Sequence, residues 1–177
     1  MLGFKAFLYE NWFAADDNKH LERRKSLDVQ LGAPKHTKEI KRYIKNSKPV
    51  NDALLSGKNH SDVEHIDRFI ENNKIPKKLN VYSALGRNAH KSLIENGRTP
   101  TYISSSPHKD SAKGYSVKSE DGYHHIAHIE LPENSLAVHL GGHENEVLIA
   151  RNQNLKHLGA KTVEEGDKKF KIHKFGV

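Results

Sequence analysis

The 177-residue chain contains no cysteine. Disulfide staples, thiolate nucleophiles and Cys-ligated zinc are therefore excluded. It has one tryptophan and one methionine, and aromatic residues make up 7% of it. Hydrophobic residues reach only 35%, a lean supply for a core. They are nevertheless clustered, which a wholly disordered chain does not show. No apolar run approaches the roughly 20 residues that cross a bilayer, so no membrane partner is expected. There is no G-x-G-x-x-G, no P-loop and no G-x-S-x-G, so a Rossmann fingerprint does not hold any dinucleotide the chain binds. Internal repeats and low-complexity tracts are missing as well. What the chain has in quantity is charge: 29 Lys and Arg against 22 Asp and Glu, net +7, with 13 histidines that add to it on mild acidification. Such a surface meets polyanions or acidic protein faces, with nucleic acid a secondary partner. The length suits one domain.

Residues 1–10, MLGFKAFLYE, set Leu2, Phe4, Phe7 and Leu8 on one side of a short helix and read as a docking element. The stretch is too short, and too interrupted by Lys5, for a secretory signal. Residues 16–38 are rich in charge, with Glu22-Arg23-Arg24-Lys25 followed by Gly32 and Pro34, and read as a linker or irregular helix-loop. From Thr37, a plausible N-cap, a helical pattern runs through Ile40, Tyr43 and Ile44 until Pro49 interrupts it. Asn51 to Leu55 continue as a short helix closed by Gly57. Ser61 and Glu64 have capping-box spacing ahead of an apolar stripe of Val63, Ile66, Phe69 and Ile70. Pro76 ends the helical half. Beyond it, strands are expected at 79–84, 101–106, 123–131, 135–139, 145–151 and 168–175, with a further strand and turn within 152–162. Short helices are expected at 88–96, closed by Gly97, and at 109–115. Glu165-Gly166-Asp167 reads as a hairpin turn. Helices first and strands later predict an α+β domain.

Three segments carry residues suited to chemistry. In Gly141-Gly142-His143-Glu144-Asn145-Glu146 a glycine turn leads into a strand that opens with two carboxylates, whose spacing places both on one strand face. Paired carboxylates serve reactions that build positive charge at a sugar carbon and deprotonate an incoming nucleophile; a solvated strand end is the plainer alternative. Ser104 and Ser106 share a face of the 101–106 strand, where a hydroxyl can fix a neighbouring carboxylate in one rotamer. Val81-Tyr82-Ser83-Ala84-Leu85-Gly86-Arg87 is a strand and turn bearing one guanidinium that can fork onto a pyrophosphate.

In their order along the chain the three segments resemble the mono-ADP-ribosyltransferase family of the Arg, Ser-Thr-Ser, Glu-x-Glu class, found among bacterial exoenzyme toxins and phage enzymes. Ser104-Ser105-Ser106 stands for Ser-Thr-Ser, and Glu144-Asn145-Glu146 for Glu-x-Glu. Tyr43-Ile44 through Asn51-Asp52-Ala53-Leu54 resembles the family's helical stretch, and Ala112 and Tyr115 stand where the family often has Ala and Phe. One departure is plain: the family's aromatic-Arg-Gly reads Tyr82-Ser83-Ala84 here, so Ser83 fills the arginine slot and Arg87 is the substitute. The resemblance implies N-terminal helices packed on a mixed, mostly antiparallel two-sheet β core. It divides the chain into a leader, helix and linker at 1–36 and a catalytic domain at 37–177. It implies NAD as co-substrate and protein arginine as acceptor, on host proteins such as transcription or translation machinery. By the same resemblance Glu146, Glu144 and Ser104 are catalytic; Tyr82, Arg87, Ser104, Ser106, Tyr115 and Glu146 bind NAD; and the turn His139, Gly141, Gly142, His143 and Glu144 recognises the target. A degenerate relative or a basic nucleic-acid-associated binding protein is the alternative.

Residues 1–10 also resemble the head-targeting leaders of tailed-phage internal proteins, with Leu8-Tyr9-Glu10 as the cleavage site. That places the protein in a virion and then in host cytoplasm; without the leader the expectation is cytoplasmic. No metal is expected: alternation puts His124 and His128 on one strand face and His125 on the other, as partly exposed strand residues. Lys168, Lys169, Lys171 and Lys174 make a basic hairpin with a solvated face.

Overall fold

The computed structural model describes residues 27–32, 34–142 and 144–177, with the side chains of 87–91 also outside the description. The leader reading at 1–10 and His143 therefore lie outside the described residues.

After the short segment 27–32, three helices come first among the described residues. In α1 (Lys38–Lys45) Thr37 caps as expected, its hydroxyl accepting the Ile40 N–H at 3.3 Å, and Ile40 and Tyr43 are buried. Pro49 does not merely interrupt: it sits in the first turn of α2 (Lys48–Leu55), where a missing N–H costs nothing. In α3 (Val63–Asn72) all four residues of the predicted stripe are buried. The Ser61–Glu64 capping box is not formed, because the helix starts one residue later, with Asp62 as N-cap. The Asp62 carboxylate does not cap either. It takes the Arg42 guanidinium at 2.5 and 3.0 Å and so ties α3 to α1.

That contact has a pH signature. Asp62 is only 4% exposed, and the Arg42 bonds hold its carboxyl below the usual carboxylate range against the opposing pull of burial. A lowered folded pKa stabilises fully above the unfolded value of about 4 and is lost as pH falls through the folded one. On acidification from about pH 6 to about pH 3 the urea midpoint of the wild type is expected to fall more steeply than that of Asp62→Asn. Parallel curves would remove the assignment.

Seven strands follow among the described residues, interrupted by two helices. They are β1 (Leu79–Ala84), β2 (Ile103–Ser105), β3 (His124–Leu131), β4 (Ala137–Gly141), β5 (Glu146–Ile149), β6 (Lys156–Glu165) and β7 (Lys168–Gly176). The helices are α4 (Arg87–Asn96), between β1 and β2, and α5 (Lys109–Tyr115), between β2 and β3. The strands form a four-stranded sheet, β1-β3-β7-β6, and a three-stranded sheet, β2-β5-β4. Of these strands only β3 and β7 pair in parallel; every other neighbouring pair is antiparallel. A backbone exchange joins the sheets: Tyr82 N–H to Ser106 carbonyl at 2.7 Å and Ser106 N–H to Tyr82 carbonyl at 2.8 Å.

The period-two alternation of the strands makes the layers. Val81, Ala127, Ile129 and Phe175 of the larger sheet meet Ile103, Ala137, Val147 and Ile149 of the smaller one in a core between the sheets. The opposite face of the smaller sheet, with Val138 and Leu148, packs on Ile40, Tyr43, Ile66 and Ile70 of the helices. On the outer face of the larger sheet, Ala112 of α5 covers Ile126, Phe170 and Ile172. Of the stretch expected as a linker or irregular helix-loop, residues 27–31 are helical, and Leu31 enters the core between the sheets. No helix among the described residues is long and apolar enough to cross a membrane.

The histidine alternation holds, and His124 and His128 are partly exposed as expected, but His125 is not. His125 is fully buried on the inner face, hydrogen-bonded to His173 at 2.9 Å and Asp121 at 3.0 Å. Two hairpin lysines are paired, Lys169 with Glu164 and Lys174 with Glu130, each at 3.1 Å.

Candidate active site

Glu146 is the first residue of β5, and Ser104 the middle residue of β2. Ser104 stands opposite Leu148, so Ser104, Leu148 and Glu146, two residues before Leu148, share the sheet face that meets the helices. Diagonal cross-strand neighbours are within reach of a glutamate side chain. Tyr43 of α1 reports the same convergence. Its buried phenol donates to Asn51 Oδ1 at 3.4 Å, interacts with the Ser104 side chain and feels the Glu146 charge. Burial drives its pKa up, Asn51 and Ser104 oppose, and Glu146 adds to the rise. A carboxylate at a strand end, a hydroxyl beside it and a phenol–amide pair beneath them form one polar constellation over an apolar floor of Leu148 and Tyr102.

A clamp fixes that floor. Tyr102 donates its hydroxyl to Asp67 at 2.7 Å, and Asp67 also takes the Arg151 guanidinium at 2.8 and 3.1 Å. The residues on either side of the motif strands are thereby tied to α3.

Glu144 lies elsewhere than alternation predicts. β5 begins at Glu146, and Asn145 has φ +49° in the left-handed region, so Glu144 sits in the preceding turn and not on the strand face of Glu146. Its carbonyl accepts the Ser106 hydroxyl at 2.6 Å, and its carboxylate accepts the Tyr115 hydroxyl. Asn145 is 2% exposed, with its amide 3.0 Å from His108 Nε2.

The turn expected over 139–143 also starts later. His139 and Gly141 belong to β4, and His139 is 2% exposed, with Nδ1 donating to the Gly32 carbonyl at 3.0 Å. Gly142 is exposed in the turn proper. Tyr82 reaches the motif strands through its backbone exchange with Ser106, while its ring stacks on His128 at 4.7 Å on the outer face of the larger sheet. Ser83, in the expected arginine slot, is buried and donates its hydroxyl to the Ser104 carbonyl at 2.7 Å. Arg87 opens α4, with its side chain outside the described residues. Among the described residues no group of three His, Asp or Glu is placed to hold a metal ion.

No family model matches the sequence, and no curated protein matches it. Solved structures do. An ADP-ribosyltransferase from Clostridium botulinum superposes with a TM-score of 0.63 at 14% identity, over 92% of this chain and 97% of that one. An ADP-ribosyltransferase toxin from Paenibacillus larvae gives 0.61 at 15% identity over 90% and 91%. The C3 exoenzyme of Clostridium limosum gives 0.62 at 15% identity over 87% and 92%. The chain has the ADP-ribosyltransferase fold.

Within the ADP-ribosyltransferase fold, two contributors to the constellation have no role that the sequence assigns. Tyr43 and Asn51 enter there only as part of a resembling helical stretch; their separation of eight residues spans two helices, so no single-helix periodicity links them. The contact between Tyr115 and Glu144 joins residues 29 apart and leaves no local signal.

Proposed function

We propose that the protein is an NAD-dependent mono-ADP-ribosyltransferase that modifies arginine side chains of host proteins and releases nicotinamide. The observation that carries this reading is the placement of Glu146 and Ser104 on one face of adjacent strands, in a fold shared with ADP-ribosyltransferase toxins. NAD supplies an ADP-ribosyl group with nicotinamide as its leaving group. The residues left to take it are Glu146, with its carboxylate, Ser104, with its hydroxyl, and Arg87 for the pyrophosphate, while Ser106 and the Tyr82 backbone hold the strands around them and Tyr115 stands on the Glu144 turn.

The chemistry asks little of the protein beyond placed charge. The bond from the ribose C1′ to the nicotinamide nitrogen breaks, with its electron pair going to the ring. Positive charge then develops at C1′, where the Glu146 carboxylate stabilises it. Ser104 and Tyr43 keep that carboxylate in place. An arginine nitrogen bonds to C1′, and its proton passes to Glu144. The exposed turn that precedes β5 is the surface that meets the target. A Glu rather than a Gln at 144 is what favours arginine as the acceptor. The leader expected at 1–10 extends the proposal to a phage head, from which the protein enters host cytoplasm; protein recovered from particles then begins at Asn11.

One observation favours a second reading, a degenerate relative or nucleic-acid-associated binding protein: Ser83 is buried where the resemblance expects an arginine. One experiment separates the two. Host lysate is incubated with NAD labelled in its adenylate portion, and labelled proteins are analysed by mass spectrometry. ADP-ribose on arginine is expected. Absence of label, together with salt-dependent DNA or RNA binding, would replace the first reading by the second.

A further inference from the structure

The turn bearing Glu144 is braced from one short stretch of chain, residues 106–115. Ser106 donates its hydroxyl to the Glu144 carbonyl at 2.6 Å and with the same oxygen accepts the His108 N–H at 3.1 Å. His108, the N-cap residue of α5, meets the Asn145 amide at 3.0 Å. Tyr115, at the other end of α5, donates its hydroxyl to the Glu144 carboxylate. The backbone of Glu144, its neighbour and its side chain are each held from that stretch.

The stretch is itself anchored on its far side. Lys113 reaches both Glu165 oxygens, at 2.5 and 2.7 Å, at the end of β6, and Ala112 is buried against the larger sheet. A glutamate side chain turns about several single bonds, and a carboxylate that must meet an incoming side chain loses rate for every rotamer that points elsewhere. A phenol on a fixed helix removes that freedom through a charge-assisted hydrogen bond. The Tyr115 ring alone would suffice for packing; the hydroxyl is the part that reaches Glu144.

We propose that Tyr115 is a positioning residue for Glu144, its hydroxyl fixing the carboxylate so that an acceptor side chain, rather than water, receives the ADP-ribosyl group. This rests on the role given to Glu144 in the proposed function. Water needs no orienting partner, whereas a side chain on a protein does. Loss of the bond therefore shifts the partition between transfer and hydrolysis.

The test is a double-mutant cycle on Tyr115→Phe, Glu144→Gln and the double variant. Phe keeps the ring and removes only the O–H. The first readout needs no activity. In urea unfolding the two substitutions are expected to be non-additive, with a coupling of about three- to tenfold in the unfolding constant. Additive effects would show that the phenol does not hold Glu144 and would overturn the proposal. The second readout is the ratio of protein transfer to NAD hydrolysis. It is expected to fall about tenfold in Tyr115→Phe, with the double variant no worse than Glu144→Gln alone. Equal losses of transfer and hydrolysis in Tyr115→Phe, with a raised KM for NAD, would make Tyr115 a co-substrate contact and overturn the positioning role. A wild-type protein that neither transfers nor hydrolyses overturns the proposed function, while the unfolding cycle still reads the contact between Tyr115 and Glu144.

Discussion

Glu146→Gln is expected to yield a folded protein in which ADP-ribosyl transfer and nicotinamide release both fall by about 10²- to 10³-fold. The substitution preserves shape and removes the charge. In the proposed reaction that charge is the group set closest to the developing cation, and no other carboxylate shares its strand face in β5. Glu144 does not substitute for it, because the left-handed Asn145 turns the chain between them. Stability is expected to change little. The hydrophobic anchors of β5 are Val147, Leu148 and Ile149, all buried, whereas Glu146 is only half-buried at the strand's start. Nicotinamide release measured beside a urea denaturation curve checks both halves. Wild-type turnover in the folded variant would exclude Glu146 from the chemistry.

The second large effect concerns stability. Gly97 closes α4 with φ +65°, and a Cβ there would lie 2.7 Å from the Leu155 carbonyl oxygen, a backbone atom that cannot swing aside. The two segments are hydrogen-bonded at that place, Leu155 N–H to the Gly97 carbonyl at 2.6 Å. Gly97→Ala therefore combines a left-handed penalty of about 1 kcal/mol with a backbone displacement. The expected loss is about 2–4 kcal/mol in all, or a Tm lower by about 10 °C. Gly57 is the internal control: its φ is +67°, but nothing lies within 4 Å of an added Cβ. Gly57→Ala should cost only the left-handed penalty, about 1 kcal/mol. Equal losses at the two positions would show that the clash with Leu155 is relieved at no cost.

Gly97 also illustrates what is legible in the sequence. A glycine after a helical pattern needs only local reasoning, and the same holds for the Thr37 cap, the buried stripe of α3, and the bounds of β1 and α5, which match the sequence reading. The α+β class follows from the same patterns, and the two-sheet core from the family resemblance. What local patterns miss depends on partners distant in the chain. The cap read at Ser61 falls instead on Asp62, whose carboxylate is drawn to Arg42, 20 residues earlier. β6 reads as a strand plus turn because it is an exposed edge strand with almost no apolar alternation. His125 is buried because β7 brings His173 against it, a parallel pairing that no local pattern announces.

The site divides in the same way. Ser104 and Glu146 are visible as motif residues, and the pairing of β2 with β5 puts them on a common face. Glu144 falls off that face because period-two reasoning assumes an unbroken strand, and Asn145 breaks it. Tyr115, whose hydroxyl reaches the Glu144 carboxylate, and Tyr43, whose phenol feels the Glu146 charge, meet the two glutamates only through the tertiary fold.

The stitch between Tyr82 and Ser106 has a mechanical consequence. It is a backbone seam between the two sheets, and Ser106 also grips the Glu144 carbonyl, so the seam lies directly beside the turn that bears Glu144. Shear between the sheets is pinned at that corner, and the Lys113–Glu165 pair ties the same corner to the end of β6. The acidic corner thus keeps its registry with both sheets at once.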